Sequence, residues 1–460
     1  MSTNDANTND TTGTDRASEV LVVGGGIGGL AAALAMKRNG ADVTLVEHAP
    51  EFGEVGAGLQ MAPNATRVLR DWGLLDAVLE VGVQPKHIVF RDATTGAELL
   101  RQNVRDEFAK RYDAPYVVVH RTDLHRIILD AAAEAGVTLL NDVEVTGTET
   151  AGSRATATAR DGRTFEADVV VAADGLHSKL RAQIADDKPI PSGYVAYRGA
   201  LPVSEVTYQS DMEDVVVWLG PQCHLVQYPL RKGEMFNTVA VFQSPAFLRG
   251  EEIWGSEDEL EEAYRDCVPE VKAALANLWR VRSWPMFDRA PIPTWVDGRT
   301  ALLGDSAHPM LQYLAQGACQ ALEDARVLER ITADSVFAGD TADNAAWDGA
   351  LARYNAVRAP RTARVQRTAR VWGESWHVSR PVEKLLRDML FAGAGADVYR
   401  FTDWAYSVEA TDALDPAAGP SEAIERIAAV GDDNRPGAAR VVGGGATEET
   451  PAALSHKVAV

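Results

Sequence analysis

Short apolar runs alternate with amphipathic stretches along the first part of the chain. The run at 19–23 (EVLVV) predicts a buried strand, and the Ala- and Leu-rich stretch at 30–39 predicts a helix with Gly40 as its C-cap. A second apolar run at 43–46 predicts the next strand. A strand, a helix and a strand within about 30 residues form a βαβ unit, so this pattern favours an α/β fold.

The same two patterns recur further along the chain. Strands are predicted at 116–120, 137–140, 168–173 and 301–303, and helices at 122–135, 317–334 and 345–375. Antiparallel hairpins are predicted over 88–100 and 143–166, and an antiparallel sheet from the runs at 215–219, 224–228 and 238–242. Gly, Pro and Asn crowd 52–64, which is expected to be a loop followed by a helix through Asp76.

Composition and charge exclude several classes of function. The chain is 46% hydrophobic and 24% charged, which is typical of globular proteins. Its 66 acidic and 45 basic residues give a net charge of −21, which argues against binding to nucleic acid or to an anionic membrane surface. No apolar run of about 20 residues predicts a transmembrane helix, and the polar N-terminus lacks the features of a signal peptide. Three scattered cysteines do not suggest a disulfide framework or a metal site, so we expect a cytoplasmic location.

The first candidate binding segment is a glycine motif between the predicted strand and helix. Gly24, Gly26 and Gly29 have the G-x-G-x-x-G spacing of a dinucleotide-binding turn, in which backbone N–H groups at a helix N-terminus meet a pyrophosphate. Glu47 ends the next strand, 18 residues after Gly29, close to the position of a ribose-binding carboxylate. The alternative is a glycine-rich turn without a ligand.

Two more segments place an aspartate after a buried strand. Asp174 follows the run at 168–173 and precedes Gly175, and Asp305 follows Gly304 after the run at 301–303. Ligands of open α/β sheets bind at the carboxyl ends of strands, where Asp305 could accept a hydrogen bond from a polyol. Each aspartate could equally cap a turn or a helix.

Together, the three segments resemble those of the class A FAD-dependent aromatic hydroxylases in order and spacing, over roughly residues 18–400. The resemblance implies a Rossmann-like FAD-binding domain with an inserted, mainly antiparallel substrate domain and C-terminal helices. It assigns FAD-binding roles to the three glycines of the motif and to a further set of residues. These are Glu47 at the AMP ribose, Asp305 at the ribitol, Arg121 and Asp174, and Gly317 and Ala318 at the flavin ring.

Composition, which predicts the two disordered ends, and the resemblance together divide the chain into regions. We expect a disordered leader over 1–17, a discontinuous FAD-binding domain over 18–85, 111–189 and 286–345, a substrate domain over 86–110 and 190–285, a helical segment over 346–408 and a disordered tail over 409–460.

Several segments narrow the resemblance to the 3-hydroxybenzoate 6-monooxygenases. They are 51–60, 192–199, 223–229, 284–289 and 308–315. The implied reaction uses NADH and O₂, forms a flavin C4a-hydroperoxide and converts 3-hydroxybenzoate into gentisate. No second G-x-G-x-x-G motif is present for a nicotinamide cofactor, which in this family approaches transiently. The resemblance also allows a homodimer.

This reaction needs a group that helps to deprotonate a phenol, whose pKa is about 10. His224 suits this role because imidazole exchanges protons near neutral pH. Gln312 could hydrogen-bond the same oxygen, and Tyr228 could hold the phenolic oxygen or the carboxylate. In a strand, His224, Val226 and Tyr228 would share one face.

These residues could instead have structural roles, and the chain could have other functions. A histidine in a strand is more often structural, and Gln312 could cap backbone groups. The function could also be salicylate or other phenol hydroxylation, a flavin-dependent dehydrogenase or oxidase, or FAD binding without catalysis.

Overall fold

A computed structural model of the chain describes residues 17–53, 56–394 and 398–407. The leader predicted for 1–17 lies almost wholly outside these residues, and the tail predicted for 409–460 lies entirely outside them. Within the described ranges, no helix is long and apolar enough to cross a membrane.

The strands of the described residues alternate with helices in the first part of the chain and cluster together in the middle. The strands are β1 (Glu19–Val23), β2 (Asp42–Val46), β3 (Gly58–Met61), β4 (His87–Asp92), β5 (Glu98–Asn103), β6 (Val117–His120), β7 (Thr138–Leu140), β8 (Val145–Ala151), β9 (Arg154–Ala159), β10 (Thr164–Ala167), β11 (Val169–Ala172), β12 (Ile190–Pro202), β13 (Val215–Gly220), β14 (Cys223–Leu230), β15 (Met235–Gln243), β16 (Trp284–Asp288), β17 (Val296–Asp297) and β18 (Thr300–Leu302). The helices are α1 (Ile27–Arg38), α2 (Pro63–Asp71), α3 (Leu75–Val81), α4 (Asp106–Tyr112), α5 (Arg121–Glu134), α6 (Arg181–Ile184), α7 (Pro245–Leu248), α8 (Glu257–Ala263), α9 (Pro269–Ala274), α10 (Gly317–Ala333), α11 (Trp347–Trp376), α12 (Pro381–Ala392) and α13 (Asp403–Tyr406).

A six-stranded sheet has the order β17-β18-β11-β1-β2-β7. Its strand pairs are parallel except for β17 with β18. Val20 to Val23 and Val169 to Ala172 are buried, as expected for strands covered on both faces. Helices α5 and α10 both pack against α1, which covers this sheet. We call this the parallel sheet.

A seven-stranded sheet has the order β16-β12-β15-β14-β13-β4-β5. All its strand pairs are antiparallel except β13 with β4, which run parallel. We call this the antiparallel sheet. The α/β class with an inserted, mainly antiparallel sheet is confirmed, whereas the exact domain boundaries stay a prediction.

The region predicted as a loop and one helix is different in the structure. Strand β3 forms within 52–64 because it pairs antiparallel with β6. The expected helix through Asp76 is two helices, because Gly73 has a φ of +76° between α2 and α3. Local sequence patterns carry neither the long-range strand pairing nor this left-handed turn.

The long helix α11 connects the two sheets. Near its middle, the buried Arg358 bonds Glu323 and Asp324 of α10, each with an N–O distance of 2.7 Å. Near its end, Trp372 and Trp376 pack edge-on against Phe90 of β4, with ring centroids 6.3 and 5.8 Å apart. Helix α11 therefore contributes to both walls of the cavity described next.

Candidate active site

A cavity of about 1160 Å³ lies where the carboxyl ends of the parallel strands face the antiparallel sheet. It is lined by residues of both sheets and of α10 and α11. It brings together eleven of the twelve site residues predicted from the sequence: Gly24, Gly26, Glu47, Arg121, Asp174, His224, Tyr228, Asp305, Gln312, Gly317 and Ala318. Gly29 does not line it.

The glycine motif forms a tight turn at the start of α1. Gly24 has a φ of +109°, and a Cβ on it would lie 2.3 Å from the carbonyl oxygen of Ala173. A Cβ on Gly29 would lie 1.9 Å from the carbonyl oxygen of Gly24. Gly29 therefore serves the close packing of helix and strand, while Gly24 and Gly26 present backbone to the cavity.

Two carboxylates flank this turn. Glu47 Oε2 accepts a hydrogen bond from the Gly25 backbone nitrogen at 2.5 Å, and Oε1 accepts one from the Ala49 nitrogen at 2.8 Å. Asp174 Oδ2 accepts a hydrogen bond from the Lys179 nitrogen at 2.9 Å. Asp174 Oδ1 is buried and has no hydrogen-bond partner among the described residues, so it is available to a ligand donor.

The third segment is fixed from behind by a buried ionic cluster, which consists of Glu323, Asp324, Arg358 and Arg361. Asp324 accepts a hydrogen bond from the Gly304 nitrogen at 2.9 Å, which holds the turn that exposes Asp305. Burial opposes ionisation of Glu323, but Arg361 and Arg358 outweigh it and lower its pKa to about 2. The cluster is charged at neutral pH and ties α11 to α10, the helix that begins at Gly317.

These groups fit an FAD molecule. Gly24, Gly25 and Gly26 bring no side chain to the α1 N-terminus, where backbone N–H groups can meet a pyrophosphate, and Asp174 offers a buried acceptor, unpaired among the described residues, for a hydroxyl of the ligand. The cavity continues from there to Gly317 and Ala318 at the start of α10. Its volume of about 1160 Å³ and its backbone-lined wall suit an extended dinucleotide better than a small metabolite.

The opposite wall comes from strand β14. His224, Val226 and Tyr228 line the cavity, and Leu225 and Gln227 do not, so the expected alternation of faces is observed. All five residues are buried.

His224 lies in an aromatic enclosure. Its Nδ1 is 2.8 Å from Nε2 of His377, and its ring centroid is 5.1 Å from Trp376 and 5.6 Å from Tyr313. Burial lowers the pKa of His224 to about 3, so its imidazole is neutral at physiological pH. A neutral imidazole can accept a proton or donate one, depending on its tautomer.

Arg198 of β12 is a cavity residue that the sequence analysis missed. Its Nη2 donates a hydrogen bond to Gln312 Oε1 at 3.2 Å, and its guanidinium lies 5.8 Å from the Trp284 ring centroid. Its Nε is buried and has no hydrogen-bond partner within the described part of the chain, and burial together with the nearby Arg121 lowers its pKa. The available signal was an arginine within an otherwise apolar strand, 194–200 (YVAYRGA).

Charge is unevenly distributed over the cavity. Its carboxylates among the described residues are Glu47, Glu144, Asp174 and Asp305. They follow β2, β7, β11 and β18, which all belong to the parallel sheet. The antiparallel sheet contributes Arg198 and no acidic side chain from its described residues, so the wall opposite the glycine turn favours an anion.

The fold and this site define an FAD-dependent monooxygenase. A model of the family described as "FAD binding domain" matches residues 17–369. The chain belongs to this family.

Two relatives illustrate the similarity. The chain is 35% identical over 401 residues to 3-hydroxybenzoate 6-hydroxylase of Klebsiella oxytoca, covering 86% of this chain and 98% of that protein. It is 36% identical to 3-amino-4-hydroxybenzoate 2-monooxygenase of Streptomyces cremeus, covering 81% of this chain and 91% of the relative.

Solved structures show the same fold. The HpxO protein of Klebsiella pneumoniae, complexed with FAD and uric acid, has a TM-score of 0.71 at 25% identity and covers 82% of this chain and 93% of its own. A salicylate hydroxylase substrate complex has a TM-score of 0.71 at 23% identity and covers 88% of this chain and 99% of its own.

Proposed function

We propose that this enzyme hydroxylates 3-hydroxybenzoate para to its phenol and releases gentisate, with NADH and O₂ as co-substrates. The observation that carries the proposal is Arg198, a partly buried cation that has no carboxylate partner among the described residues and lies on the same wall as the neutral base His224. The relatives named 3-hydroxybenzoate 6-hydroxylase support this substrate.

Arg198 is proposed to hold the substrate carboxylate. A guanidinium removed from water is unfavourable unless an anion compensates it. Among the described residues, no carboxylate bonds Arg198, and the antiparallel sheet brings none to the cavity. A benzoate carboxylate would supply both the missing charge and an acceptor for the unpaired Nε. This assignment leaves Tyr228, the other carboxylate candidate, for the aromatic ring or the phenolic oxygen.

His224 and Gln312 are proposed to act on the phenol. His224 is neutral, and its bond to His377 uses Nδ1, which leaves Nε2 for a ligand. Gln312 Oε1 accepts from Arg198, which leaves its amide N–H groups to donate to the phenolic oxygen. Gln312 would thus link the groups that bind the carboxylate and the phenol, and so set the orientation of the ring.

The wall of the cavity formed by the parallel sheet and the start of α10 is proposed to hold the cofactor. Gly24 and Gly26 would contact the pyrophosphate, Glu47 and Asp305 the AMP ribose and the ribitol, and Gly317 the flavin. Arg121, Asp174 and Ala318 complete this set. When bound, FAD supplies the electrons taken from NADH and the activated oxygen for hydroxylation.

The direct test uses purified yellow protein with NADH and 2-, 3- or 4-hydroxybenzoate. We expect gentisate from 3-hydroxybenzoate, identified by chromatography, in proportion to the NADH consumed. Oxidation of NADH that yields only hydrogen peroxide with all three acids would contradict the proposed substrate.

The carboxylate assignment is tested with Arg198→Gln. Loss of a charge-assisted pair should raise Kd for 3-hydroxybenzoate about 10- to 100-fold. Kd for the neutral analogue 3-hydroxybenzyl alcohol should change little. The matched control is Arg91→Gln on the same sheet, since Arg91 pairs with Glu98 outside the cavity. Equal changes in Kd for both ligands would contradict the assignment.

We further propose a cytoplasmic location, because the three cysteines are free and buried, which suits a reducing compartment.

We also propose that the protein is a homodimer. Helix α12 exposes Val382, Leu385, Leu386 and Met389, with exposed fractions of 58% to 68%, and such a face suits a second copy of the chain. Light scattering of the wild type and of Leu386→Glu tests the dimer, and two monomeric samples would contradict it.

A further inference from the structure

Behind the proposed base His224 lies a second histidine, His377, which has no assigned role. His377 follows α11 and reaches His224 with a 2.8 Å contact between its Nε2 and Nδ1 of His224. His224 lines the cavity, and His377 does not. The two rings therefore form a path that begins at the substrate and ends outside the cavity.

The pair is held firmly from several elements. Tyr194 of β12 stacks on His377 with a centroid distance of 4.4 Å, and Tyr313 lies 5.5 Å from the same ring. The backbone nitrogen of Gln222 donates to the His377 carbonyl oxygen at 3.0 Å. The Tyr264 hydroxyl donates to the His224 carbonyl oxygen at 2.5 Å.

Among the described residues, the side chains in direct contact with the pair carry no fixed charge. Burial raises the pKa of Tyr194, Tyr313 and Tyr264, so these phenols are neutral at physiological pH. Two acids lie near these tyrosines: Glu374 of α11, which is exposed, and Asp288 of β16, which is buried and pairs with Arg370. Among the described residues, neither a carboxylate nor a cation is hydrogen-bonded to either imidazole.

This environment makes it unfavourable to store a proton on the pair. Burial lowers the pKa of His224 to about 3, and burial and His224 together lower the pKa of His377 well below its usual value. A base that simply became an imidazolium here would place an uncompensated charge among Trp376 and two tyrosines. A base that passes its proton on would remain neutral and would create no such charge.

We propose that His224 and His377 form a two-histidine relay that carries the phenol proton of the substrate out of the cavity. The phenol O–H bond breaks as its proton binds His224 Nε2. The Nδ1 proton of His224 moves to His377 Nε2, and the Nδ1 proton of His377 leaves to water. Both imidazoles end neutral with exchanged tautomers, the substrate is a phenolate, and one proton is in solvent.

The relay leaves His224 suited to the next state of the substrate. Its Nε2 now carries hydrogen and donates to the phenolate oxygen, the form of the substrate that is more reactive towards hydroxylation. His377 is itself buried, with 5% of its surface exposed, and the relay places the exit at the end of α11, where Ser379 and Arg380, which follow His377, are exposed. His377 is thus a positioning and relay residue that acts through His224. The inference rests on the proposed function.

The test compares His377→Gln and His377→Phe with the control Ser379→Ala in the FAD-loaded enzyme. Glutamine can accept the hydrogen bond from His224 Nδ1 but cannot pass a proton on, and phenylalanine can do neither. We expect His377→Gln to keep FAD and to keep Kd for 3-hydroxybenzoate within a few-fold. Its kcat for hydroxylated product should fall about 100-fold, the lower end of the effect of general acid–base catalysis.

A second substrate separates proton transfer from simple damage. A ring-fluorinated 3-hydroxybenzoate has a more acidic phenol, so both variants should lose less kcat with it than with the parent acid. Their kcat should also recover as the pH rises towards the pKa of the free phenol. A wild-type kcat in His377→Gln, or equal losses with both substrates at every pH, would overturn the relay. Absence of hydroxylated product from the wild-type enzyme would instead overturn the proposed function.

Discussion

The two walls of the cavity use different parts of the chain for recognition. The parallel-sheet wall presents backbone at Gly24, Gly26 and Gly317 together with carboxylates that end its strands. The antiparallel-sheet wall presents the side chains of Arg198, His224 and others. At Gly24 the backbone wall has no room for a Cβ, which would lie 2.3 Å from the Ala173 carbonyl oxygen, while a side-chain wall keeps its shape when one functional group is exchanged. The two walls should therefore fail in different ways when they are mutated.

The largest effect is expected from the backbone wall. Gly29→Ala would place a Cβ 1.9 Å from the Gly24 carbonyl oxygen, so either the glycine turn or helix α1 must move. We expect colourless protein that has lost FAD, measured as flavin absorbance per chain. A yellow variant with wild-type FAD content would show that the wall is more tolerant than the packing indicates.

The side-chain wall should separate chemistry from cofactor binding. His224→Ala should retain FAD and part of the NADH oxidation, while gentisate formation falls by about 10²- to 10⁴-fold, the usual range for loss of a general base. Flavin absorbance, NADH consumption and chromatography of the product measure the three quantities in one sample. Undiminished product would remove His224 from the mechanism.

Acid should weaken the backbone wall through the ionic cluster behind it. The folded-state pKa of Glu323 is about 2, below its ordinary value of 4.5, so its ionised form stabilises the fold above pH 4.5. That stabilisation, a few kcal/mol, is lost as the pH falls from 4.5 towards 2.

The variant Arg361→Met sharpens this prediction. Arg361 lowers the pKa of Glu323 more than any other neighbouring charge does. Its loss should therefore move the fall in Tm to higher pH. The control Arg380→Met removes an exposed arginine that pairs with Glu383 on the surface. Identical pH profiles of Tm for the two variants would contradict the role of the cluster.

The smallest effect concerns a glycine that neither wall requires. Gly349 lies within α11, and a Cβ placed on it would meet no atom of the described residues within 4 Å. Gly349→Ala should stabilise the fold by about 0.5–1 kcal/mol through helix propensity, with unchanged FAD content. Chemical denaturation measures the change, and destabilisation would show an unrecognised need for glycine there.

The backbone wall was largely predictable from the sequence because its requirements are local. A glycine spacing, a strand before it and a helix after it fix the turn at Gly24, and strand ends fix Glu47, Asp174 and Asp305. The alternation in β14 also placed His224 and Tyr228 on one face.

The rest depended on contacts between distant parts of the chain. Arg198 meets Gln312 across 114 positions, and His224 meets His377 across 153. Neither pair has a spacing or a periodicity that a single sequence could reveal. Strand β3 was missed for the same reason, since it exists through its pairing with β6.

Helix α11 has a consequence for how enzymes of this architecture diverge. Its 30 residues span about 45 Å, with Arg358 and Arg361 behind the parallel-sheet wall and Trp372 and Trp376 beside the antiparallel-sheet wall. Changes in its last two turns would remodel the substrate chamber without touching the salt-bridged middle. Substitutions in the last turns of α11 can therefore change which substrates are accepted, while the middle of the same helix keeps the proposed FAD site unchanged.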